Sequence, residues 1–373
     1  MVHRTLAVTR KETIHILRDP RTLAVIFLIP IVQLVLLGYA ATTDIEHLRT
    51  GVLDADGSAQ SRALVEAYRA SGTFAIVAHV ESEAELARLV DDGSARAGML
   101  IPAGFGRDLA AGRTAQVGFV IDGSDPAVAN AVLAASQQVG QAVSVQLALR
   151  ALGGQRPALP AIEVRPRVWY NPALKSANFM IPGLMGIVLQ FLATMLTALA
   201  IVRERELGTL EQLIVTPVRP LELVLGKVLP YVVVALFVLL EVLIVGVLWF
   251  GVPVHGSLPL LLGLSTLFLA TSLGMGLLVS TIARTQQEAM LLTWFLLLPS
   301  IFLSGFFFPI EAMPAALRAI SYVIPLRYLL TIMRGIILKG VGMDVLWPQV
   351  AALAVFGVVV VLAAASRFRR HLD

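Results

Sequence analysis

The sequence predicts an α-helical polytopic membrane protein with six transmembrane helices and an α/β extracytoplasmic domain inserted between the first and second. Three observations carry this. Of 373 residues, 57% are hydrophobic and only 14% are charged, against about 45–50% and about 25% in soluble domains. The apolar residues gather in runs of the roughly 20 residues that a helix needs to cross a bilayer. Lys and Arg alternate between loops as the positive-inside rule asks. The net charge of +4 therefore reads as cytoplasmic loops, not as a nucleic-acid surface. The lack of cysteine excludes a disulfide framework, a thiolate metal site and a catalytic thiol.

Residues 1–21 are a basic tail carrying Arg4, Arg10, Lys11, Arg18 and Arg21. The run "TLAVIFLIPIVQLVLLGYAA" at 22–41 exceeds the roughly 7–15 residues of a signal-peptide core. It reads as a retained anchor whose N-terminus is cytoplasmic. Residues 42–175 are polar and extracytoplasmic by topology. Here "TGVLDA", "FAIVAHV", "ARAGMLIP" and "AQVGFVID" read as strands. "SAQSRALVEAYRAS", "SEAELARLVDDG" and "GSDPAVANAVLAASQQVGQAVSVQLALRAL" read as helices, and the Pro-rich "GGQRPALPAIEVRPRVWYNP" as an extended connector back to the membrane.

Five further spans follow within residues 176–366, at about 176–202, 228–250, 258–282, 288–308 and 347–365, and residues 367–373 form a tail. Arg203, Arg205, Arg219 and Lys227 place the loop after the second span inside, as Arg284 does for the loop after the fourth, and Arg367, Arg369 and Arg370 for the C-terminus. Residues 309–346 should be outside, yet they carry Arg318, Arg327, Arg334 and Lys339. Residues 309–335 are therefore read as a re-entrant or interfacial hairpin, beginning where the fifth span breaks at Gly305 and Pro309. Glu311 and Arg318, seven apart, read as two turns of one helix face.

No enzymatic constellation emerges. "VLDADGS" superficially resembles the Asp-x-Asp loop of haloacid-dehalogenase-type phosphatases, but Asp54 and Asp56 more simply end a strand and cap a helix. The "LGKV" stretch around Lys227 lacks both the first glycine and the Ser/Thr of a P-loop. The histidines have no metal spacing, and no G-x-S-x-G elbow occurs. Glu241, near the middle of the third span, costs about 2.5–3.5 kcal/mol to insert and is a functional hypothesis by default. Gln190 is its candidate companion on a translocation path, with a packing role, against Gln190 or Gln33, as the competing reading. Gly274 and Gly276 suit close helix approach.

The stretch "RERELGTLEQLIVTPVRPLELVLGK" sets charges of both signs between two apolar runs. Leu207, Leu210, Leu213 and Ile214 form an apolar stripe from which Glu204, Glu206 and Glu211 stand apart. Helix formers run from Glu204 to Val215, broken only by Gly208, and stop before Pro217. A lipid-resting helix would carry Lys and Arg on its polar face. The glutamates favour docking into a groove on a protein partner instead.

These residues, with "VLDADGSAQSRALVEA", "GMLIPAGFGRDLAAGR", "FVIDGSD" and "FLSGFFFPIEAMPAALRAISYVIPLRYLL", resemble the type-2 family of ABC transporter permeases, in its exporter branch. The resemblance implies a dimer of permeases, homo- or heteromeric, bound to two separate ATPase subunits that hold the ATP and magnesium, with no cofactor in this chain. It implies that Arg203, Glu204, Glu206, Gly208, Thr209, Glu211 and Pro217 belong to an ATPase-coupling element at 203–216. It makes residues 1–21 an interfacial elbow, and the large outer domain suggests an efflux pump that engages a periplasmic adaptor. Two other classes compete: a proton-coupled secondary transporter with Glu241 as relay, and a non-transporting membrane scaffold or sensor.

Overall fold

The computed structural model describes residues 47–153, 161–208 and 220–369. Strands β1 (Leu48–Asp54), β2 (Phe74–His79), β3 (Ala97–Ile101), β4 (Ala115–Asp122) and β5 (Ile162–Trp169) form one sheet in the order β2-β1-β3-β4-β5. All neighbours are parallel except β3 and β4. Helices α1 (Ala59–Ala70), α3 (Phe105–Ala110) and α4 (Pro126–Gly153) cover one face, and α2 (Glu83–Asp91) covers the other. The core of the first face is a ring cluster of Tyr68, Phe74 and Phe119, with centroids 5.2–5.9 Å apart. The buried Tyr68 hydroxyl donates to the Ser136 carbonyl at 2.8 Å, meeting the need of a buried phenol for a partner.

Two local expectations are revised. Part of the Pro-rich connector is strand β5, and its Pro166 is tolerated because β5 lies at the sheet edge. Asp56 does not cap its own helix; Ser58 caps α1, while the Asp56 carboxylate accepts the Gly104 and Gly106 amides at 2.8 and 3.0 Å. Asp54 instead braces the turn, accepting the Gly57 amide at 2.9 Å and the Ser61 hydroxyl at 2.7 Å.

Beyond the sheet the chain is helical: α5 (Ser176–Glu206), α6 (Pro220–Leu248), α7 (Leu258–Ile282), α8 (Gln286–Leu303), α9 (Ala315–Ser321), α10 (Pro325–Arg334) and α11 (Met343–Arg369). Among the described residues four helical segments are long and apolar enough to cross a membrane: Ser176–Glu206, Leu258–Ile282, Gln286–Leu303 and Met343–Ala364. The pair Ala315–Ser321 and Pro325–Lys339, bent by 82°, makes a fifth if counted as one span. The expected first span at 22–41 and the elbow at 1–21 lie outside the described residues.

Helix α7 packs along both α5 and α11. A Cβ at Gly276 would stand 2.5 Å from the Thr194 carbonyl oxygen, and one at Gly274 would stand 2.9 Å from Val360 Cγ1. Backbone cannot yield as a side-chain tip can, so Gly276 is fixed by packing. Gly276→Val should destabilise the bundle by about 1–3 kcal/mol, read as a lower thermal midpoint of the detergent-solubilised protein. An unchanged midpoint would show that α5 and α7 separate freely.

The cations that sat badly with an outside loop all have partners. Arg318 donates to the Glu311 and Met313 carbonyls at 2.9 and 3.1 Å. Arg327 bonds Ser321 and covers the Tyr322 ring. Arg334 donates to the Gly305 carbonyl at 3.0 Å and lies 3.6 Å over the Phe179 ring. Lys339 reaches into the sheet domain. The reading of Glu311 and Arg318 as one helix face is corrected: Glu311 sits in a 3-10 turn, and α9 starts only after Pro314.

Candidate functional site

The charged stretch after residue 202 lies at the end of α5 far from the sheet. Residues 203–206 are the last turn of α5, not the start of a separate helix. Leu207 is the C-cap, and Gly208, at φ +69°, ends the helix in the left-handed region that glycine enters without strain. The expected helix running from Glu204 through Gly208 to Val215 is revised in that part. Thr209, Glu211 and Pro217 lie outside the described residues.

Two side chains of that last turn grip the turn between α7 and α8. Arg205 Nη1 donates to the Ser280 and Ala283 carbonyls at 3.0 and 2.9 Å. These sit where α7 ends and has carbonyls without intrahelical partners. Glu206 accepts the Gln286 backbone amide at 2.8 Å and its side-chain amide at 2.5 Å. That backbone amide opens α8 and is one of its unpaired donors. A cation thus meets the negative end of one helix dipole and an anion the positive end of the next. The turn is further stiffened by an N-cap: Thr285 accepts the Glu288 amide at 3.1 Å, and Glu288 reaches back past the cap to accept the Arg284 amide at 2.7 Å.

From sequence, Arg205 and Arg284 serve only as topology markers, and Gln286 and the rest of the turn carry no expectation. Only the Thr-x-x-Glu pattern at Thr285–Glu288 was a readable signal. Arg203 is exposed beside them, Glu204 is half-buried, and Leu207 stands 65% exposed. These contacts join the end of α5 to the α7–α8 turn.

The two intramembrane candidates do not meet. Gln190, 2% exposed, donates from Nε2 to Ser300 Oγ at 3.3 Å. Glu241 is exposed on α6 and has no hydrogen-bond partner among the described residues. Gln190 Oε1, Thr197 Oγ1 and Ser272 Oγ are buried without partners among the described residues, and Thr194 donates to the Ser272 carbonyl at 3.1 Å. Gln190, Thr194 and Thr197 form one polar stripe along α5.

A family model described as ABC-2 family transporter protein matches residues 20–366. The chain is 36% identical over 373 residues to "Probable multidrug ABC transporter permease YbhS" of Escherichia coli (strain K12), covering 99% of this chain and 98% of that protein. It is 31% identical over 372 residues to "Probable multidrug ABC transporter permease YbhR" of the same strain, covering 100% of both. "Inner membrane transport permease YhhJ", also from that strain, is 36% identical over 220 residues, 57% of each chain.

Proposed function

The chain belongs to the ABC-2 family of transporter proteins, and from that membership we propose that it is the membrane-spanning permease subunit of an ATP-driven exporter. In this reading the chain crosses the inner membrane six times with both termini cytoplasmic. The sheet domain is extracytoplasmic and inserted between the first and second spans, and residues 309–335 re-enter the outer leaflet. Two copies, or this chain and a related one, enclose the path. Two partner subunits bind and hydrolyse ATP with magnesium, and a periplasmic adaptor receives the cargo. The cargo is a drug-like or lipid-like amphiphile, in keeping with the multidrug names of the full-length relatives.

The observation that carries this reading is the grip of Arg205 and Glu206 on the α7–α8 turn. It sits directly before the segment through Pro217 that would take the ATPase stroke. An ATPase closing on that segment would move three helices at once, which alternating access requires. The test is co-purification with an ATPase encoded beside this gene, followed by efflux of a fluorescent amphiphile from vesicles. ATP-dependent efflux from the joint complex is expected. Failure of any ATPase to associate overturns the reading, as does efflux that survives ATP depletion and collapses with the proton gradient.

A further inference from the structure

Between the sheet domain and the helical part lies a chain of four buried or half-buried charges. Asp122, the last residue of β4, is 1% exposed. Its Oδ2 accepts Lys339 Nζ at 2.8 Å and Arg96 Nη1 at 3.2 Å, and its Oδ1 accepts the Ser124 amide at 3.0 Å. Arg96 in turn places Nε and Nη2 at 2.8 and 2.7 Å from Glu311 Oε1. Lys339 also donates to the Val90 carbonyl at 2.8 Å and lies 5.2 Å from the Tyr170 ring centre. The order Lys339, Asp122, Arg96, Glu311 alternates in sign. Its two inner members belong to the sheet domain and its two outer members to the helical part. Ala312, next to Glu311, packs against the core of the sheet domain.

Burial pushes the Asp122 carboxyl up, but the Lys339 ammonium and the Arg96 guanidinium outweigh it and hold it below the usual carboxylate range. Burial likewise raises Glu311, and the Arg96 guanidinium overcomes it. Both carboxyls are therefore ionised at neutral pH, and their contribution is lost only as pH falls through those lowered values. A buried pair of this kind adds little net stability compared with apolar residues of the same shape. What it supplies is register, because each charge left alone is costly. Lys339 closes a π-helical stretch, Gly335–Lys339, that continues α10. Such stretches are rare and cluster where a helix must do something other than span.

We propose that Asp122 is a positioning residue for transport: through Lys339 and Arg96 it locks the sheet domain to the bent α9–α10 element, so that the two move as one body. The role in transport rests on the exporter reading above, whereas the lock itself does not. In this scheme the ionic chain is a hold on the sheet domain beside the covalent entry into α5. Movement of α5 is then passed to the outer domain and to the α9–α10 element in step. Without the lock, ATP would be hydrolysed while the outer domain lagged behind.

The chain contains no cysteine, so two introduced thiols can carry spin labels without background. Val77→Cys in β2 and Val323→Cys between α9 and α10 are suitable, since both valines are exposed. In the full complex, with one labelled chain diluted among unlabelled ones, we expect one narrow label-to-label distance. Asp122→Asn with Lys339→Met, which removes both charges together, should broaden it. A width unchanged both by that double variant and by Glu311→Gln, which cuts the remaining Arg96 link, overturns the lock. Efflux per ATP hydrolysed is then measured for the same variant. It should fall about tenfold while ATP hydrolysis and the thermal midpoint stay near wild type. Broadening with full efflux overturns the transport role. Wild-type complex that exports nothing with ATP overturns the exporter reading instead. Should the double variant not fold, Glu311→Gln breaks the outer link alone, and the same two readouts apply.

Discussion

A chain carrying Arg205→Glu together with Glu206→Arg should insert at wild-type levels and still bind its ATPase, yet lose ATP-driven efflux about tenfold, equivalent to about 1.4 kcal/mol. The exchange keeps net charge, composition and helix propensity. What it inverts is the match of each charge to a helix end. A carboxylate would face the Ser280 and Ala283 carbonyls, and a guanidinium would face the Gln286 amide. Each favourable charge–dipole contact at an exposed helix end is worth about 0.3–1 kcal/mol, and both become repulsive in the exchange. The residues are exposed or half-buried, so water and salt limit the cost to folding. The cost falls on the link between α5 and the α7–α8 turn. Arg205→Lys, able to reach the carbonyls with a point charge but not with a planar fork, should lose less. The assay is efflux from inverted vesicles at matched protein abundance. Efflux within twofold of wild type would remove the clamp from the mechanism.

Why the exchange was not suggested by the residues alone is instructive. The run "RERE" announces charge, and Glu206 stands off the apolar stripe within a stretch that resembles a family element. Arg205 has no periodic relation to its partners, which lie 75 and 78 positions away. The helix at 258–282 was legible because a bilayer demands an unbroken apolar run, and its boundaries match α7. Strand β5 was masked by its prolines, which argue against a strand except at an edge, and edges are a property of the whole sheet. In the sequence Asp122 is visible only as the end of a strand pattern and as part of "FVIDGSD", because its cation partner Lys339 lies 217 positions on. Local chemistry is readable from spacing; contacts that join distant segments are not, and here both functional junctions are of the second kind.

Asn171→Ala should be the most destabilising single truncation at the junction between β5 and α5, by about 1–3 kcal/mol. Asn171 is 2% exposed. Its Nδ2 donates to the Lys175 carbonyl at 3.0 Å, and its Oδ1 accepts the Lys175 amide at 3.1 Å and Asn178 Nδ2 at 3.0 Å. Alanine would leave the buried Asn178 Nδ2 and the Lys175 amide without this partner, while the Lys175 carbonyl keeps the Asn178 amide at 3.2 Å; a buried unpaired group costs about 1–3 kcal/mol. The junction also holds Tyr170 and Leu174 at φ 63° and 47° without being glycine. Residues held there persist only where their surroundings over-determine them: Tyr170 bonds Asp91, Leu174 packs on the sheet-domain core, and Asn171 ties the turn between them to Lys175 and Asn178. Asn171→Asp keeps the acceptor but loses the donor, and should fall between alanine and wild type. The measurements are the thermal midpoint and the rate of limited proteolysis within residues 170–175. The functional consequence follows from length: α5 has 31 residues, about 46 Å of rigid helix. One end carries the Arg205–Glu206 clamp and the other carries this turn. A loose turn should therefore lower efflux without touching the clamp or the ionic chain at Asp122. Unchanged melting with an unchanged cleavage pattern would mean that the sheet domain hangs on α5 by a hinge, and that the helix transmits nothing to it.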